Sequence, residues 1–172
     1  MDMDKESLEY SKGVLDEIEA AVSQLGGQLA RIDPEQSGGI PTAVIGTFQS
    51  PDGQKWNIVC SVLPTHYGEL STTFVQLHVQ LGDPVGEHKA ALAELSRLCN
   101  AGFLLGSLFI LEGYLCMKYV MALDPNEALP VEHFQSMLTV FVRQAGALAR
   151  VADRVRGGMN PQQAMSEPLG RE

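Results

Sequence analysis

The order of hydrophobic and polar positions divides the chain into segments of two different periods. Leu8, Leu15, Ile18, Val22, Leu25 and Leu29 recur at helical spacing and make one apolar stripe. Ser7 or Asp4 stands where a cap belongs, the helix fades near Gly26-Gly27, and IDPEQSGGIP is a loop by composition. From Thr42 to Gln49 and from Gln54 to Val62 the period changes to two, with Ser50-Pro51-Asp52-Gly53 as the turn of a hairpin. In its second strand Trp56, Ile58, Cys60 and Val62 share one face, and Lys55, Asn57 and Ser61 share the other, with Val59 as the exception. A loop, LPTHYGEL, leads into a third strand in which Val75, Leu77, Val79 and Leu81 alternate with Phe74, Gln76, His78 and Gln80.

Ala91, Leu92, Leu95, Leu98 and Cys99 then mark a short helix that Asn100 and Gly102 terminate, Gly102 taking the left-handed position past its end. The stretch Phe103 to Leu123 is long and apolar enough to cross a bilayer, but it carries Glu112-Gly113 at its midpoint and Lys118 soon after. A charge at the centre of a membrane helix costs about 2.5 to 3.5 kcal/mol, whereas a hairpin turning at Gly113 avoids that cost. The reading is therefore two strands and no membrane span. Pro130 starts a last helix with Phe134, Met137, Leu138, Phe141, Ala145, Leu148, Ala152 and Val155 on one side, and Gly157-Gly158 stops it. The expected fold is α+β, in the order α-β-β-β-α-β-β-α, with an antiparallel sheet of about five strands and flanking helices. One domain spans residues 1–158, and the tail 159–172, MNPQQAMSEPLGRE, reads as disordered.

The long hairpin carries the functional signal. Its second arm puts Leu115, Met117, Tyr119, Met121 and Leu123 on a core face, and Tyr114, Cys116, Lys118, Val120 and Ala122 on the opposite one. A two-residue Glu112-Gly113 loop sets Ser107 opposite Lys118, while a one-residue shift exchanges these partners, and the sequence leaves that register open. In either register the second face is too apolar for a sheet facing only water, so it should be covered. The cover is either the short second helix or another copy of the chain across a two-fold axis. Phe74, Tyr114, Cys116, Lys118 and Val120 are accordingly the candidate partner or dimer surface.

Charge and reactive groups narrow the function further. Against 12 Lys and Arg the chain has 21 Asp and Glu, a formal net charge of −9, which disfavours nucleic acid and anionic membrane surfaces and favours a basic partner segment. Cys60, Cys99 and Cys116 form no CxxC pair and sit in apolar surroundings, and MDMDKESLEY has none of the features of a secretory leader, so the expected location is cytoplasmic. His66, His78, His88 and His133 show no HxxxH or HExxH spacing, and no glycine-rich phosphate loop is present, so no metal, cofactor or catalytic residue is expected. The end of the last helix is basic, with Arg143, Arg150, Arg154 and Arg156, and the first helix is acidic, with Glu6, Glu9, Asp16, Glu17 and Glu19; solvated faces are the simplest reading, and pairing between helices lying side by side or receipt of an acidic peptide the sharper ones.

The element order, the run LSRLCNAGF, the hairpin around LEGYLCMKYVMAL and the closing amphipathic helix resemble the YbjN-like proteins and the wider type III secretion chaperone-like fold. The resemblance covers residues 8 to 156 and implies a small, acidic, homodimeric binding protein without a cofactor; it carries over no site residue. The expected function is a non-enzymatic protein- or peptide-binding module, chaperone-like or regulatory, using sheet edges and apolar grooves. The alternative is a small-ligand-binding protein or enzyme whose site assembles from His78, His133 and the arginines.

Overall fold

The computed structural model describes residues 5–49, 55–67, 70–102, 106–124 and 127–168. Its elements are α1 (Lys5–Gln24), β1 (Gln28–Arg31), β2 (Thr42–Gln49), β3 (Lys55–Tyr67), β4 (Leu70–Pro84), a 3-10 turn (Gly86–His88), α2 (Lys89–Gly102), β5 (Ser107–Leu111), β6 (Tyr114–Leu123), α3 (Val131–Arg156) and α4 (Pro161–Ser166). The strands form one sheet in the order β1-β2-β3-β4-β6-β5. Every neighbouring pair is antiparallel. The fold is thus α+β as the periods require, with six strands where about five were expected.

The inward rows are those the alternation assigns. Trp56, Ile58, Cys60 and Val62, then Val75, Leu77, Val79 and Leu81, then Leu115, Met117, Met121 and Leu123 are all buried. They join Val14, Leu15, Ile18 and Val22 of α1, Leu92 and Leu95 of α2, and the whole predicted stripe of α3 in one core. Burying such a side chain stabilises by about 1.5 to 3 kcal/mol, so this layer holds the sheet to the helices. α3 packs on β4, α1 on β3 and α2 on β5, while α3 also touches α1, α2 and α4. Gln135 ties α3 to α1, donating to the Ala21 carbonyl and to the Gln24 side chain.

Several expectations change. Leu29 belongs not to the first helix but to β1, where it pairs with Ile45; α1 has already ended at Gln24, and Leu25 is exposed. LPTHYGEL is mostly strand: β3 runs to Tyr67 and β4 starts at Leu70, paired with it, and residues 68–69 lie outside the described residues. Asp4 and the turn 50–53 also lie outside them. α2 continues through Asn100 and Gly102, and the left-handed glycine is Gly106. The tail is not disordered throughout: Asn160 caps α4 through its side chain, Pro161 begins it, and Ala164 is fully buried. Arg154 holds this last helix by donating to the Ala164, Glu167 and Pro168 carbonyls.

The long apolar stretch is a hairpin over the described part. Ser107 pairs with Lys118 and Leu111 with Tyr114, which closes a two-residue loop and settles the register. Glu112 and Gly113 both have positive φ, 50° and 83°, as a type I′ turn demands. Phe103–Leu105 lie outside the described residues. Among the described residues no helix is long and apolar enough to cross a membrane.

Candidate functional site

The outward side of the sheet is the candidate site, because the helices occupy the other side. The register lines up a transverse row across five strands: Val44 faces Val59, Val59 faces His78, His78 faces Lys118, and Lys118 faces Ser107. A parallel row joins Thr42, Ser61, Gln76 and Val120, and a third joins Leu63, Phe74 and Ala122. Toward the hairpin turn, Gln80 faces Cys116, which faces Phe109. Apolar and polar residues share these rows, and among the apolar ones Val59 is 36% exposed and Val120 39%, as is Leu111, opposite Tyr114, at 45%.

Of the two covers expected for this face, the short second helix does not lie over it. α2 turns instead toward the free edge of β5. Asn100 donates from its side-chain amide to the Leu108 carbonyl at 2.7 Å and accepts from the Leu108 N–H at 2.8 Å, and the Ser96 hydroxyl donates to the same carbonyl at 2.7 Å. The side chain of Asn100 thus stands in for the next strand at this position and obstructs β-strand addition there. Sequence reading had used Asn100 as a helix stop; its real partner is eight residues away, a separation that no helical or strand period signals.

Phe74, Tyr114, Cys116, Lys118 and Val120 all lie on this one face, but they do not form a compact cluster. Phe74 sits beside Ala122 and Tyr114 beside Leu111, and a strand rise of about 3.4 Å per residue separates those ends of β6 by roughly 27 Å. Between them, the His78 and Phe109 rings stack at a centroid distance of 5.2 Å and an interplanar angle of 27°. Phe109 stands on β5 and His78 on β4, so the rings meet over β6, and Cys116 on β6 is only 4% exposed although it points outward. Beside this stack, Val44, Val59, Leu111 and Cys116 line a trough of about 520 Å³ together with Lys55, Asn57, His78 and Gln80.

The ionisable groups of the face are cationic or neutral. Burial and the neighbouring Lys118 charge both hold His78 below the ordinary imidazole value, and its Nε2 has no hydrogen-bond partner among the described residues. At neutral pH it is uncharged. Burial pushes the Cys116 thiol up, with Glu112 acting in the same direction against a backbone hydrogen bond from the Leu111 region, and the Sγ donates to the Tyr114 carbonyl at 3.7 Å. Cys99 is raised by burial and Cys60 is pushed up to about 12 by it. None of these thiols is poised as a thiolate nucleophile.

A titration follows from the His78 environment. Because protonation is disfavoured in the folded state, the stability contribution of neutral His78 is complete above the unfolded imidazole value of about 6.5 and is lost as pH falls below it toward the lower folded value. Proton NMR should place the His78 midpoint below the ordinary imidazole value of about 6.5, and Lys118→Met should move it upward by removing one of the two causes. A midpoint at the ordinary imidazole value would show that the ring is solvated.

The scattered polar residues of the enzyme reading are not brought together. His133 is exposed near the start of α3, on the helix layer, whereas His78 is across the sheet. Arg154 is committed to α4, and Arg156 donates to the Leu81 and Asp83 carbonyls and to Asp153. On α1, Asp16 and Glu19 pair with Arg31 of β1, and Glu17 accepts from the Leu129 N–H at 2.6 Å. Among the described residues no group of three or more His, Cys, Asp or Glu is placed to hold a metal ion. No family model matches the chain, and no curated protein matches it significantly.

Proposed function

We propose that this chain is a non-enzymatic binding module that takes a protein or peptide partner on the open face of its sheet. The observation that carries the reading is a sheet whose inner side is sealed by helices and whose outer side leaves Val59, Leu111 and Val120 more than a third exposed. Apolar surface of this kind is how a protein-binding site is built, and the area is flanked by neutral polar side chains suited to orienting a chain laid across it. The element order and the hairpin support the chaperone-like role implied by the resemblance to YbjN-like proteins, working in the cytoplasm as a homodimer. With Leu108 at the β5 edge already satisfied by Asn100, the face and not that edge is the binding surface.

Val120→Glu tests the assignment. Because Val120 is exposed, the variant should keep its circular dichroism spectrum and melting temperature within a small margin. Affinity capture from cytoplasmic extract should recover a partner with wild type at near-stoichiometric yield and lose it with Val120→Glu. Equal recovery by both proteins would remove the outer face from the reading, and robust turnover of a small molecule by the purified chain would remove the module itself. A smaller-ligand reading has one observation in its favour, the 520 Å³ trough, which falls in the size range of small-molecule sites.

A further inference from the structure

The distribution of charge between the sheet and the rest of the chain says more than its total. Of the 21 acidic residues, none lies in β2, β3, β5 or β6, and only Asp83 lies in β4. The basic residues of those same strands are Lys55 and Lys118, both on outward positions. Strands disfavour Asp and Glu in general, but they disfavour Lys as well, and the outer face is wet enough to carry either sign. The net charge of −9 therefore resides on the helices and connections, while the described strands of the open face offer apolar side chains, hydrogen-bonding amides and two ammonium groups, with Glu112 at the hairpin turn near enough to act on Cys116. Screening over about 8 Å at physiological ionic strength makes the local pattern, and not the total, what a docked segment experiences.

We infer that the occupant of the outer sheet face is an acidic, apolar peptide segment of a partner protein, with apolar side chains seated over Val59, Leu111 and Val120 and carboxylates meeting Lys55 and Lys118. This rests on the binding-module reading and reverses, for this face, the basic partner that the total charge suggests. A second copy fits the face less well. A two-fold contact sets a surface against itself, so the lysines of one subunit would be brought onto a face whose described strand positions between Lys55 and Lys118 hold no acid to offset them. Any two-fold contact is thereby placed elsewhere, as at α2. Nucleic acid is a poorer match still, since two lysines are far fewer than the cations that phosphate-tracking surfaces use and the rest of the chain repels a polyanion. The His78 ring, stacked on Phe109 between the two lysines' strands, gives the trough a flat aromatic wall for the segment's apolar side chains.

The probes are three fluorescein-labelled synthetic peptides that share Leu, Phe and Val at alternate positions and carry Glu, Gln or Lys at all the others. With the full-length protein, fluorescence anisotropy should rank them Glu, then Gln, then Lys, with the Glu peptide about tenfold tighter than the Lys peptide, because the two lysines attract one and repel the other. Lys55→Glu, at an exposed position that leaves the fold intact, should narrow this preference, and Lys55→Glu with Lys118→Glu should invert it. Equal affinities for the Glu and Lys peptides, or a preference for Lys, would overturn the acidic partner while leaving the module standing. Failure of all three peptides to bind would remove the module and this inference together. A wild-type dimer that Val120→Glu converts to folded monomer would show the face closed by a second copy and overturn the inference.

Discussion

Gly106→Ala should destabilise the protein by about 2 to 4 kcal/mol, because two separate costs fall on one methyl group. Gly106 has φ of +81°, where an L side chain is strained, and a β-carbon built on it would overlap the carbonyl oxygen of Lys118 on the neighbouring strand. That carbonyl is backbone, so relief requires β5 to move away from β6. Gly113→Ala is the control. Its φ is nearly the same, +83°, but a β-carbon there meets nothing within 4 Å, so only the conformational cost of about 1 kcal/mol applies. Urea denaturation of the two variants should separate them by the steric part, and equal losses would show that the sheet absorbs the contact. The Gly106 variant should also weaken whatever docks on the outer face, since Lys118 belongs to that site.

Arg156→Met should cost about 2 to 4 kcal/mol, from charged hydrogen bonds whose acceptors would be left without a partner. The guanidinium donates to the carbonyls of Leu81 and Asp83 at 2.8 Å each and to the Asp153 carboxylate at 2.7 Å, and its side chain is only 12% exposed. These carbonyls lie where β4 departs from regular pairing with β6, between Gln80 and Pro84. The end of α3 thus fastens an irregularity that the sheet ladder cannot satisfy by itself. Arg97→Met on α2 is the matched comparison: Arg97 pairs with Glu94 at the surface and should change the unfolding midpoint little. Similar shifts for Arg97→Met and Arg156→Met would mean that the Arg156 clamp contributes nothing beyond an ordinary surface pair.

How much of this was legible in the sequence depends on whether a feature repeats. The inward rows of β3, β4 and β6 and the stripe of α3 were readable because one side of each element is buried along its whole length, and burial imposes a period. β1 escaped because four residues hold too few repeats, and Leu29 happened to continue the helical spacing of α1. The ends of β3 and β4 were read as loop because Pro64, Thr65 and Gly68 are loop formers by composition, yet pairing with β4 carries the strand to Tyr67. Asn100 was invisible for another reason: a single amide bridging α2 to Leu108 is a tertiary contact. For the candidate site, period two placed Phe74, Tyr114, Cys116, Lys118 and Val120 on a common face correctly. It could not say that α2 packs toward the β5 edge and leaves that face open, because helix placement is decided by packing among α1, α2 and α3. The sign of charge on the face was equally hidden, since a sum over the chain erases where the carboxylates are.

The strand order β4-β6-β5 has a consequence for the order of events during synthesis. β5 is made before β6 but ends farther from β4, so the chain overshoots and returns to fill a gap one strand wide. β4, at 15 residues, is the longest strand, and the flank that β6 will occupy has no pairing until Leu123 exists. At about 5 to 20 residues per second, the roughly 40 residues between Pro84 and Leu123 take about 2 to 8 seconds to make. For that interval the nascent chain displays an unsatisfied flank of its longest strand, which is then closed in one move by a hairpin that forms within about 1 to 10 microseconds. A ribosome paused inside that window would hold a chain whose exposed strand flank invites pairing with another chain.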